Sequence, residues 1–282
     1  MGAKKKKKKR TARKKAAQAA PGGLVLVKDA GCVRWLTLNR PEKRNALSEP
    51  LVEALSEALA DAKSSKARCV AITGAGSVFC AGADLATLKE LRKASFEENL
   101  ADSFQLADML LDIQEHPLPV IAAVNGHALG GGAGLAAACD ITFAVKSAKL
   151  GFTEVRIGFV PAIVLNFLLR CVGEKTAREL CLTGRMIGAD EGAAMGLVNR
   201  VVSATALTGA VKALGEEIAR GGPAAIATTK ALFLQLGPLP LKDGLDQAVQ
   251  ANAEARESDD CREGVDAFLE KRAPRWSNRS PL

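Results

Sequence analysis

Three short segments hold the residues whose types and spacing can do chemistry. Phe79-Cys80-Ala81-Gly82-Ala83-Asp84-Leu85 and Gly126 to Gly132 are glycine-rich turns, each following an apolar run that reads as a buried strand and each preceding a helix. At such a turn the backbone N–H groups are free, the helix dipole adds partial positive charge, and small residues let an anion come close. Two such groups facing one another would hold a developing oxyanion; as single features, turns of this kind also serve simply as tight connections. Glu154 is the third feature, a lone acid between Phe152 and Val155. Desolvation there raises a carboxyl pKa toward the range useful to a general acid or base, while an ion pair with Arg156 or another strand neighbour is the alternative reading.

Other chemistries find no support. With only His116 and His127 present, an HExxH zinc site is ruled out, and GxSxG, GxxxxGK[ST] and GxGxxG do not occur. His127, beside the second glycine turn, reads as a satisfied structural residue rather than a second acid, and His116, before Pro117, as a helix terminus. Asp84 reads as a cap of the following helix. The seven cysteines are odd in number and scattered without a CxxC, most of them in apolar surroundings, which describes buried thiols in a reducing compartment. Location is expected to be cytoplasmic, or the mitochondrial matrix in a eukaryote. No apolar stretch approaches the roughly 18 residues of a membrane span, and no secretory signal follows the first charges.

The net charge of +8 is unevenly placed, because Lys4 to Lys9, Arg10, Arg13, Lys14 and Lys15 bring ten positive charges and no acid, leaving −2 on the remainder. Residues 1–22 are expected to be a disordered basic tail, since a run of like charges repels itself and buries little. Residues 4–15 can bind nucleic acid or an anionic surface by counterion release, or can be a solvated tail with no partner.

The elements that position the glycines and Glu154 alternate as in α/β proteins. Strands are expected at 24–27 and 33–38 around an Asp29-Ala30-Gly31 turn, and at 69–73, 120–124, 141–145 and 197–202. Helices are expected from Ser48 through Leu59, over 96–115, over 133–138, and as the dominant structure after 162. Residues 74–82 read as a loop. The body divides into an α/β core, 23–200, and a helical region, 201–282.

Taken in order, "LNRPEKRNALS" (38–48), "FCAGADL" (79–85), "PVIAAVNGHALGGG" (119–132), "CDITFA" (139–144), "FTEVRIGFVPA" (152–162), "GLVNRVV" (196–202) and "EGVDAFLEKRAPRW" (263–276) resemble the crotonase superfamily, the enoyl-CoA hydratase/isomerase family. The resemblance spans about residues 23–276. It implies a crotonase-like spiral of ββα units, with C-terminal helices packing into homotrimers, often stacked as hexamers. It implies an acyl-CoA thioester substrate, no metal, and no cofactor beyond the coenzyme A that the substrate carries. The N–H groups of Ala83 and Gly131 match the family's oxyanion donors. Ala81, Ala83, Asp84, Leu85 and Ala86, with Ala46 and Gly131, match the segments that contact coenzyme A, and Lys43 and Arg44 could meet its phosphates. Hydratases of the family usually carry two glutamates; Glu154 matches the second, while Gly134 stands at the first. The motifs look closest to bacterial methylglutaconyl-CoA-type hydratases, which favours hydration of a 2-enoyl-CoA, branched ones included, with Glu154 as general acid/base. Two alternatives stay open: double-bond isomerisation by Glu154 alone, and an RNA-binding or non-catalytic role acting through the basic tail.

Overall fold

The computed structural model describes residues 23–276. The basic tail and its expected binding role lie outside those residues. Ten strands and eleven helices are described: β1 (Val25–Ala30), β2 (Val33–Leu38), α1 (Glu49–Ala62), β3 (Cys69–Gly74), β4 (Val78–Cys80), α2 (Leu85–Leu91), α3 (Phe96–Gln114), β5 (Val120–Val124), β6 (His127–Leu129), α4 (Gly131–Ala138), β7 (Ile141–Val145), β8 (Lys149–Gly151), α5 (Ala162–Cys171), α6 (Glu174–Thr183), β9 (Met186–Gly188), α7 (Ala189–Ala194), β10 (Arg200–Val202), α8 (Leu207–Ile218), α9 (Pro223–Leu236), α10 (Leu241–Glu257) and α11 (Asp259–Leu269).

The strands sort into two sheets, β1-β2-β3-β5-β7-β10 and β4-β6-β8-β9. From β3 to β8 consecutive strands alternate between the sheets, so that β3 and β4, β5 and β6, and β7 and β8 each place one strand in the large sheet and the next in the small one before a helix follows. This is the crotonase-like spiral of ββα units. In the large sheet only β1 and β2 pair antiparallel, and the register runs from Trp35 beside Ala71 to Ile121 beside Ile141. β5 is buried throughout, as a parallel strand covered on both faces must be. The core lies between this sheet and α1, α3 and α4, around Leu36, Ile72, Met109, Leu110 and Leu135.

Helix starts follow local chemistry. At α3, Ser95 Oγ accepts from Glu98 N–H (3.2 Å) while the Glu98 carboxylate accepts from Ser95 N–H (3.1 Å), a reciprocal cap. Ser48 precedes α1 with Pro50 in the first turn, but its hydroxyl makes no cap bond and instead accepts from Arg40.

Several expected boundaries move. The 74–82 segment is not all loop, since it contains β4; the second glycine turn contains β6; and α4 begins at Gly131, ahead of residue 133. β8 and β9 are additional to the expected strands, and the final strand occupies only Arg200–Val202. Strands of three residues carry too little alternation to be read from sequence.

The C-terminal helices are pinned by buried polar groups. Lys230 Nζ of α9 donates to Asp140 (2.6 Å), to the Ile113 carbonyl (2.8 Å) and to the Leu118 carbonyl (3.2 Å). Asp260 of α11 accepts from the N–H groups of Ala224 and Ala225 at the start of α9. Beside Lys230, His116 is buried; its Nδ1 accepts from Leu118 N–H and its Nε2 donates to the Leu59 carbonyl. Burial brings its pKa down to about 4, so it stays neutral and structural.

Candidate active site

The two glycine turns meet at Gly82. A carbon added there would lie 2.7 Å from the Leu129 carbonyl and 3.5 Å from Gly131 N, so the chains approach as closely as a glycine with φ +88° allows. Both turns are anchored to Leu47. Its N–H donates to the Gly82 carbonyl (2.7 Å), its carbonyl accepts from Asp84 N–H (2.9 Å), and Ala81 N–H donates to Arg44 (3.0 Å). Leu47 and Ala83 thus form a parallel bridge in which the Ala83 N–H faces the opposite edge, without a partner among the described residues. From the other side, the Leu47 Cδ1 lies 3.1 Å from where a Gly131 side chain would begin.

Gly131 opens α4, and as the first helical residue its N–H has no intrahelical acceptor. Gly130 before it takes φ 52° and ψ −125°, and its N–H donates to the Gly151 carbonyl (2.8 Å) at the end of β8. Three residues after Gly151 the short turn Glu154–Ile157 begins. A carbon at Gly130 would meet Glu154 Oε1 at 3.3 Å, which places the carboxyl against the residue that precedes Gly131.

Glu154 has no ion pair with Arg156, whose aliphatic stem packs beside Gly184. Its Oε2 is buried with no hydrogen-bond partner among the described residues. Burial pushes its pKa above the ordinary carboxylate value, opposed in part by its own backbone N–H. An unpaired, desolvated carboxyl of this kind is poised to exchange a proton.

Gly134 lies one turn along α4 from Gly130, on the same helix face. A carbon built there would fall 2.1 Å from Val164 Cγ1 and 2.6 Å from Val164 Cβ, on α5. The place expected for a first glutamate is therefore occupied by the isopropyl group of Val164, not vacant.

Ala46 is buried and Ala81 half-buried, while Ala83, Lys43 and Arg44 are exposed on the rim formed by 40–47 and 81–84. Asp84 is buried and bonded to Arg40, and Leu85 opens α2, which includes Ala86. His127 is exposed, with Nδ1 accepting from Lys149 N–H, a structural role. Among the described residues no cluster of His, Cys, Asp and Glu is arranged to hold a metal. Cys80 is fully buried, with its pKa pushed up to about 12 by burial.

Sequence reasoning missed the residues that hold the first turn in place. Asn45, buried with φ 54°, accepts from Arg40 N–H and donates to the carbonyls of Ala75 (2.9 Å) and Val78 (2.7 Å). Asn125 braces the neighbouring loop by donating to the carbonyls of Gly74 and Gly76. The signal that the sequence offers is the asparagine in "RNALS" itself, since asparagine tolerates positive φ better than most residues.

Residues 29–279 match the enoyl-CoA hydratase/isomerase family. The chain is similar to a Thermus thermophilus protein whose name carries a provisional enoyl-CoA hydratase assignment, 45% identical, covering 88% of this chain and 98% of that protein. Among solved structures it is similar to an enoyl-CoA hydratase of Mycobacterium smegmatis (37% identity, TM-score 0.84, covering 90% of this chain and 98% of that one). The Bacillus anthracis enoyl-CoA hydratase gives 36% identity and a TM-score of 0.84, covering 91% and 100%.

Proposed function

Because the chain belongs to the enoyl-CoA hydratase/isomerase family, we propose that it adds water across the double bond of a 2-enoyl-CoA thioester. Glu154 takes a proton from water as the oxygen bonds to C3, and the double-bond electrons move onto the thioester oxygen. The N–H groups of Ala83 and Gly131 hold that oxygen as an enolate. Glu154 then returns its proton to C2, so that one water is added overall. Lys43 and Arg44 are exposed on the rim beside Ala46, and in this reading they meet the phosphates of coenzyme A. The hydratase names of the relatives support this reading. The observation that carries it is the buried, unpartnered Oε2 of a carboxyl seated against Gly130, the residue before Gly131.

A second reading has its own observation. With Val164 against Gly134, Glu154 is the carboxylate left at the turn, and one carboxylate suffices to remove a proton from C2 of a 3-enoyl-CoA and return it at C4. The test is turnover of crotonyl-CoA, 3-methylglutaconyl-CoA and a 3-enoyl-CoA, followed by mass, with Glu154→Gln as control. Gain of one water, lost in the variant, supports hydration; bond migration at constant mass supports isomerisation. Turnover undiminished in Glu154→Gln contradicts both.

We propose in addition that copies of the chain assemble as trimers or hexamers through the C-terminal helices. Phe233, Leu241, Leu245, Val249 and Phe268 are exposed on these helices, large apolar side chains that an interface between copies would cover. Light scattering at three or six chain masses is expected; a monomer would contradict it.

A further inference from the structure

We infer that Arg40 is a positioning residue for this reaction, fixing the direction of the Ala83 N–H through a buried clamp. The inference rests on the reading of Ala83 as an oxyanion donor. Arg40 Nη2 donates to Asp84 (2.7 Å), while Nη1 donates to the Ala46 carbonyl (2.8 Å) and to Ser48 Oγ (2.9 Å). These partners lie on either side of the Leu47–Ala83 bridge: Ala46 and Ser48 flank Leu47, and Asp84 follows Ala83. One planar guanidinium therefore ties both edges of the seam from which the Ala83 N–H points outward.

Arg40 does not reach for substrate. Its side chain is 14% exposed and that of Asp84 8%. The Arg40 backbone is held as well, its N–H donating to Asn45 Oδ1 and its carbonyl accepting from the N–H groups of Lys43 and Asn45. A buried ion pair is poor evidence of stability, because desolvating both charges offsets their attraction. What such a pair supplies is geometry, and the fork of an arginine suits three acceptors at fixed angles where a lysine, a point charge, does not. The first turn needs that geometry. Ala83 lies outside any helix and its N–H is oriented by the single Leu47 bridge that the guanidinium braces, whereas Gly131 takes its direction from α4.

The test compares wild type with Arg40→Met, Arg40→Lys and Asp84→Asn for kcat, KM and thermal midpoint. It also records the absorbance of a bound aryl-conjugated enoyl-CoA, whose maximum moves to longer wavelength when its carbonyl is polarised. Arg40→Met is expected to lose about 100-fold in kcat, the scale of one misdirected oxyanion donor, with KM within a few-fold and most of the wavelength shift gone. Arg40→Lys is expected to recover part of both. Asp84→Asn, which keeps the shape and an acceptor, is expected to fall between and serves if Arg40→Met does not fold. A wild-type wavelength shift retained in every folded variant would overturn the inference. So would kcat and KM that change only in step with the thermal midpoint. Absence of the shift in wild type would instead sink the oxyanion reading on which the inference stands.

Discussion

The turn ending at Ala83 and the turn opening at Gly131 present the same group, an unpartnered backbone N–H, and are held by opposite means. The first is held by polar side chains reaching from a distant loop: Arg40 to Asp84, and Asn45 to Ala75 and Val78. The second is held by the absence of side chains. A carbon at Gly132 would meet the Cys80 carbonyl at 2.3 Å, and one at Gly134 would meet Val164 at 2.1 Å. An added carbon should disturb both turns, since one at Gly82 would lie 2.7 Å from the Leu129 carbonyl, but only the first should also fail when a polar side chain is removed.

The sharpest way to break this contrast is Gly132→Ala. Its neighbour is backbone, which cannot swing aside, and overpacking of this kind costs about 3 kcal/mol or more. Urea unfolding should show that loss, and an unchanged midpoint would mean that the second turn is not packing-limited. Asn45→Ala comes next. It strands two carbonyls and an N–H and puts alanine at positive φ, for an expected loss of about 2–3 kcal/mol; Asn45→Gly, which relieves only the backbone, should recover little.

Gly134→Ala should destabilise by about 1–3 kcal/mol. Because the clash is with a side chain, combining it with Val164→Ala should recover most of that loss, a coupling readable in a double-mutant cycle. Additive losses would contradict the account of α4 against α5. The smallest effect is on stability at Glu154. Its folded-state pKa is raised by burial, so the folded chain binds the proton more tightly than the unfolded one, and ionising the carboxyl lowers stability as pH rises through the folded pKa. Glu154→Gln should therefore melt higher than wild type at pH 8, by a margin that fades toward pH 4. A variant that melts lower at pH 8 would show that the carboxylate has a partner.

Much of this was legible in the sequence. The long buried strands β3, β5 and β7, the two glycine turns and the isolated Glu154 all show in apolar runs, glycine spacing and neighbouring residue types. The small sheet was not, because β4, β6, β8 and β9 are three residues each. Nor was the clamp on the first turn: Arg40 and Asp84 are 44 residues apart, and nothing local marks Arg40 off from the exposed Lys43 and Arg44. Ser48 shows how context overrides a local rule, since its hydroxyl is taken by Arg40. Gly134 was legible as a departure, but that Val164 fills its place is a fact of helix packing, for which one sequence holds no signal.

If Glu154 alone carries the proton transfers, the pH dependence of kcat/KM reports a single ionisation. A single fall on the acid side is expected, with an apparent pKa above the ordinary carboxylate value of 4.5, and with that ionisation missing from the residual rate of Glu154→Gln. A bell-shaped profile reporting a second essential group, or an acid limb unchanged in Glu154→Gln, would contradict it.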